Sequence, residues 1–173
     1  MVTISRQAGT EGDVIARTLA EQLGWKLLDN EVLERLLRER SFPKLEVAAF
    51  KERMPGFWHR FSAERDKYRH FLKMTIYEFA RQGSCVIVGR GGQLLFQEVP
   101  GILRVRVVAP LQERVAKVLK NFGGDERRAQ QVLQHLDNDR AAFHRFLFHA
   151  NWEASELYDL IINTCRVSAG TAV

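Results

Sequence analysis

S-R-Q-A-G-T-E-G-D, Ser5 to Asp13, decides how this chain is read. Before it, Met1 to Ile4 form a short apolar run that suits a strand buried on both faces. After it, Val14, Ile15, Leu19 and Leu23 recur at helical spacing, and Gly24 stands where a helix stop belongs. Strand, glycine loop and helix are the layout in which successive backbone N–H groups converge on a phosphate at the positive end of a helix. Gly9 and Gly12 supply the pliable backbone. A full GxxxxGK[ST] loop adds a lysine for the outer phosphates and a hydroxyl for magnesium. Here those places hold Gly12 and Asp13, or Asp13 and Val14, according to how the loop is aligned. A tight turn with Asp13 near the helix start is the plainer reading, and Arg6 is the nearest cation to stand in for the lysine.

Working outward, the pattern of strand and helix repeats. Trp25 to Leu28 reads as a second strand ending at Asp29, and Val32, Leu33, Leu36 and Leu37 mark the next helix. Pro43 and Pro55 break residues 41 to 62 into an irregular helical insertion. A longer helix resumes at Asp66, with Phe71, Leu72, Thr75, Ile76 and Phe79 on one face. Cys85 to Val88 forms a buried strand running into Gly89, Arg90, Gly91 and Gly92. Leu103 to Ala109 is a further strand, followed by a helix with Pro110 in its first turn. An Arg-rich helical stretch then runs on from Gly124 towards Trp152, and Tyr158 to Asn163 reads as a closing buried strand. Strands alternating with helices predict a parallel sheet covered on both faces, with ligands at the carboxyl ends of its strands.

The bulk composition narrows the class. With 173 residues, 46% of them apolar, the chain suits one buried core and a single domain. Its formal charge of +5 fits a protein that handles anions, phosphate first, with nucleic acid as the lesser option. The aromatic and basic run from Phe57 to Phe71 offers a surface for nucleic acid, although its aromatics also suit a core. Only Cys85 and Cys165 are present, so no disulfide framework is expected. No apolar run reaches bilayer length and no basic leader is present, which points to a cytoplasmic protein without a membrane partner. His59, His70, His135, His144 and His149 lack metal-ligand spacing, so no structural metal is expected.

The stretches V-I-V-G-R-G-G-Q-L-L-F and P-G-I-L-R-V-R-V-V-A-P-L-Q-E-R-V, with T-I-S-R-Q-x-G-x-x-G-D, G-W-K-L-L-D, D-N-D-R-A and Y-D-L-I-I-N-T, resemble the cytidylate kinase-like branch of the P-loop nucleoside monophosphate kinases. That resemblance covers nearly the whole chain. It implies a three-layer P-loop NTPase fold with a five-stranded parallel sheet of order 2-3-1-4-5. It also implies a helical acceptor-binding insert over residues 40 to 80 and a lid over 122 to 152. The implied activity is phosphoryl transfer from ATP with Mg2+ to a nucleoside monophosphate such as CMP, or a related small acceptor.

Site residues follow by position. Arg6, Gln7, Gly9, Thr10, Gly12 and Asp13 would cradle the ATP phosphates, and Asn163 and Thr164 would lie beside the adenine. Gly89 and Arg90 would grip the acceptor phosphate, with Asp29 near the acceptor, unless Asp29 only caps the helix behind it. Arg128, Arg140 and Arg145, with Arg127, are the lid arginines that would steady a loose transition state. Of these, Arg140 in Asp137-x-x-Arg140 is best placed, while the others also suit a solvated helix face. Gly91 replaces the acidic residue that follows Gly-Arg in true cytidylate kinases. Without the loop lysine, a nucleotide-binding regulatory or partner-binding protein is the alternative to an active kinase.

Overall fold

The computed structural model describes residues 1–39 and 65–173. Most of the insertion expected over 40 to 80 therefore lies outside the described residues, as does most of the Phe57 to Phe71 run. Five strands form one parallel sheet: β1 (Val2–Arg6), β2 (Lys26–Leu28), β3 (Cys85–Val88), β4 (Leu103–Val108) and β5 (Leu160–Asn163), in the order β2-β3-β1-β4-β5. Around it lie α1 (Gly12–Leu23), α2 (Asn30–Glu39), α3 (Arg65–Arg81), α4 (Gly92–Leu95), α5 (Leu111–Phe122), α6 (Glu126–Phe148) and α7 (Ala169–Ala172). The strand order is the expected one. No helix among the described residues is long and apolar enough to cross a membrane.

Alternation along β3 shows how the sheet divides its core. Cys85 and Ile87 face a layer built by Leu33 and Leu37 of α2, Leu72 and Ile76 of α3, and Phe143 and Leu147 of α6. Val86 and Val88 face the opposite layer, where Ile15, Ala16 and Ala20 of α1 pack. Burial on both sides explains why β3, C-V-I-V, is a continuous apolar run, whereas β1, V-T-I-S-R, and β4, L-R-V-R-V-V, carry polar residues at alternate positions. β1 lies in the middle, paired with β3 and β4, so Ile4 stands between Val88 and Val105. The loop at its carboxyl end is thereby delivered to the centre of the sheet edge.

Two elements differ from the sequence reading. The last strand is not buried: Leu160 and Ile161 are 45% and 43% exposed. β5 pairs only with β4 and forms an edge of the sheet, and apolar composition alone cannot distinguish an edge from a centre. Pro110 is the residue before α5 and not within its first turn, with φ −54 and its carbonyl accepting from Arg114 N at 3.1 Å. The basic stretch after Gly124 is one continuous helix of 23 residues, capped by Asp125, whose carboxylate accepts from Arg128 N at 2.8 Å.

Candidate active site

The loop between β1 and α1 is held open by its glycines and braced by its polar side chains. Gly9 and Glu11 both take left-handed backbone conformations, φ 78 and 60, and α1 starts at Gly12. A Cβ on Gly12 would lie 2.5 Å from Arg6 Cβ, and one on Gly9 would lie 3.1 Å from Leu133 Cδ2. Thr10 Oγ1 donates to Gln7 O at 2.8 Å, and Gln7 Oε1 accepts from Ala109 N at 3.1 Å. Gln7 and Thr10 thus shape the loop and tie it to the end of β4. The backbone amides of Gly9 to Gly12 lead directly into the N-terminus of α1. That donor set and close-approach backbone fit a phosphate chain.

One cavity of about 350 Å³ opens beside this loop, lined by Arg6, Asp13, Arg17, Asp29, Arg90 and Arg140 among others. Arg6 is buried, and its Nε donates to Asp13 Oδ1 at 3.0 Å. Asp13, 61% exposed at its side chain, brings a carboxylate to the cavity beside the helix start. Arg140 Nη1, from the middle of α6, donates to Arg6 O at 2.9 Å. Four arginines from different parts of the chain, Arg6, Arg17, Arg90 and Arg140, therefore line this cavity beside the loop.

Arg90 comes from the turn after β3. Gly89, Arg90 and Gly91 are all left-handed, with φ 68, 57 and 73, a run that only glycine adopts freely. Gly89 N donates to Ile4 O at 2.9 Å, so the turn departs directly from the sheet. At Gly91 a side chain would strike the Phe148 ring, with Cζ at 2.6 Å. The backbone thus turns sharply enough to bury Arg90 to 2% exposure, with Nε donating to Asn30 Oδ1 at 3.1 Å. Asp29 does cap its helix: Oδ1 accepts from Val32 N at 3.0 Å, and the other oxygen stands 4.0 Å from Arg17. It also lines the first cavity.

A second cavity, about 490 Å³, lies on the other side of the loop and is bordered by Gly9, Glu11, Ala109, Lys117, Lys120 and Thr164 among others. Lys117 forms an ion pair with Glu11. Asn163 Oδ1 accepts from Cys165 N at 3.0 Å, which turns the chain at the end of β5 and sets Thr164 on the cavity wall. Arg127, Arg128 and Arg145 are exposed on α6 and line neither cavity.

The sequence reading did not single out Asn30, Arg17, Glu31, Glu34 or Leu136, all of which line the first cavity. No local signal marks them, because α2 and α6 meet the cavity only after folding. Among the described residues no cluster of three or more His, Cys, Asp or Glu side chains is placed to hold a metal.

A parallel 2-3-1-4-5 sheet with a glycine loop after its central strand defines a kinase-type phosphate-binding fold. The chain belongs to the cytidylate kinase-like family, whose model matches residues 1–166. It is similar to the cytidylate kinase of Methanosarcina barkeri, 23% identical over 169 residues covering 94% of this chain and 86% of that one. A uronate isomerase of Corynebacterium glutamicum is 35% identical over 79 residues, covering 46% of this chain, which spans 15% of that protein's length. Among solved structures, an uncharacterised protein from Eubacterium ventriosum matches with TM-score 0.69 and 22% identity, covering 94% of this chain and 87% of that one. A gluconokinase from Sinorhizobium meliloti matches with TM-score 0.58 and 12% identity, covering 99% and 86%.

Proposed function

We propose that this chain is an ATP-dependent phosphotransferase whose acceptor is a nucleoside monophosphate of the CMP type or a related small anion. In this reading the donor phosphates lie on the amides of Gly9 to Asp13, and the adenine occupies the second cavity beside Thr164. The acceptor phosphate enters the first cavity between Arg90 and Arg140. The observation that carries the reading is the convergence of Arg6, Arg90 and Arg140 on one cavity at the loop. Transfer through a loose transition state needs positive charge around the moving group more than it needs covalent chemistry. Arg6 supplies at the loop the charge that lysine supplies elsewhere, and Gly12 makes room for it. Magnesium, carried by ATP, would neutralise part of the phosphate charge.

The test is ADP release on mixing the protein with ATP, Mg2+ and a panel containing CMP, dCMP, UMP and gluconate, the last because of the gluconokinase likeness. Acceptor-dependent ADP release supports the reading, and its loss in Arg90→Ala and Arg140→Ala assigns the arginines. A second reading, a nucleotide-binding regulator without turnover, is favoured by one feature: Arg6 is engaged by the loop's own Asp13. ATP binding with no ADP release for any acceptor would select it.

A further inference from the structure

Asp137 lines neither cavity and Arg114 borders only the second, yet they are among the most heavily bonded charged groups near the loop. Arg114 is 5% exposed. Its Nη1 donates to Asp137 Oδ2 at 2.6 Å and to Ala8 O at 2.9 Å, and its Nε donates to Ala109 O at 3.0 Å. Asp137 Oδ1 accepts from Ala8 N at 2.8 Å. Both polar groups of Ala8 are therefore fixed, one by α6 and the other by α5. Three residues along α6, Arg140 holds the carbonyl of Arg6. The helix thus grips the loop on both sides of Gln7, and Gly9 packs against Leu133 and Arg114 Cβ, with no room for a side chain.

A buried ion pair adds little stability over apolar packing of the same volume, so stability alone is a weak reason for this one. We infer that Asp137, braced by Arg114, is a positioning residue that couples the phosphate loop to the helix carrying Arg140. The donor amides and the acceptor-facing guanidinium then move as one body. This rests on the phosphotransferase reading for its consequence in turnover, but the coupling itself is a property of the unliganded chain.

Hydrogen exchange decides it without nucleotide. In Asp137→Ala, the amides of Ala8 and Ile15, which donate to Asp137 Oδ1 and to Glu11 O of the loop, should exchange about tenfold faster or more, the loss of a charge-assisted bond, while those of β1 and β3 stay as in the wild type. Asp137→Asn keeps the acceptor for Ala8 N and loses the charge facing Arg114, so it serves where the alanine variant fails to fold. In a second arm, a non-hydrolysable ATP analogue with Mg2+ should slow exchange around Arg140 in the wild type and not in Asp137→Asn, with kcat falling more than the acceptor KM rises. A variant that melts earlier but keeps wild-type loop exchange, analogue affinity and kcat overturns the inference. If wild type binds no nucleotide, the phosphotransferase reading fails, while the first arm still decides whether the loop and helix are coupled.

Discussion

Replacing Gly12 with alanine tests the packing on which the loop depends. Gly12 has no positive φ, so the backbone accepts alanine, and helix propensity alone favours the change by about 1 kcal/mol. Against that, the new Cβ would lie 2.5 Å from Arg6 Cβ, 2.9 Å from Arg6 Cγ and 3.4 Å from Val107 Cβ. Carbon pairs rest at about 3.5 to 4 Å, so the overlap with Arg6 Cβ is about 1 Å. Arg6 Cβ is fixed to the central strand, so the start of α1 must give way. Overpacking of this kind costs about 1–3 kcal/mol. After the propensity gain, a net loss of up to about 2 kcal/mol remains, which lowers Tm by up to about 8 °C for a chain of this size. The shift should also stretch the 3.0 Å Arg6–Asp13 pair and weaken ATP binding. Gly24→Ala is the control: its φ is 63 and nothing lies within 4 Å, so it should cost about 1–2 kcal/mol of backbone strain and leave ATP affinity unchanged. Thermal melts and calorimetric titration with ATP read both. Wild-type affinity and an unchanged Tm in Gly12→Ala would refute the argument that glycine is there to admit Arg6.

Three further outcomes are expected. Arg90→Ala should abolish acceptor-dependent turnover while leaving ATP affinity near the wild-type value, as read by ADP release and titration, because Arg90 borders the first cavity only. Hydrogen bonds from the Arg104 side chain and backbone hold the Asp159 carboxyl down at about 2, against an ordinary 3.8. Its contribution to stability is thus present above about pH 4 and is lost as pH falls towards 2. The Tm gap between wild type and Asp159→Asn should be constant near neutrality and close over that window. Burial pushes the Cys85 thiol up, whereas Cys165 is exposed. A thiol reagent should therefore modify one cysteine in the folded protein and two after denaturation.

The residues that built the fold were legible because each strand and helix signals itself locally. Cys85 to Val88 is apolar at every position since both faces are covered, and Gly24 and Gly89 sit where left-handed turns end one element and begin another. Arg90 was legible for the same reason, as an arginine inside a glycine turn. Of the charge pairing at the site, only Asp137 with Arg140, three residues apart and 3.6 Å from each other, was legible; the rest was not. The Asp13 carboxylate, though largely exposed, engages Arg6, seven residues back, while Asp137 reaches Ala8 across 129 residues of sequence. Arg114 stood within the Pro-Leu-Gln-Glu-Arg segment, but only as part of a family likeness.

What the sequence determined by itself was the succession of strands and helices and the two glycine turns, since hydrophobic period and backbone freedom are properties of neighbouring residues. Tertiary structure alone decided that β5 is an exposed edge, that α2 and α6 close the first cavity, and which carboxylate each arginine meets. Those outcomes depend on which distant segments come within a few ångströms of one another, and a charged side chain carries no local mark of the partner it will find.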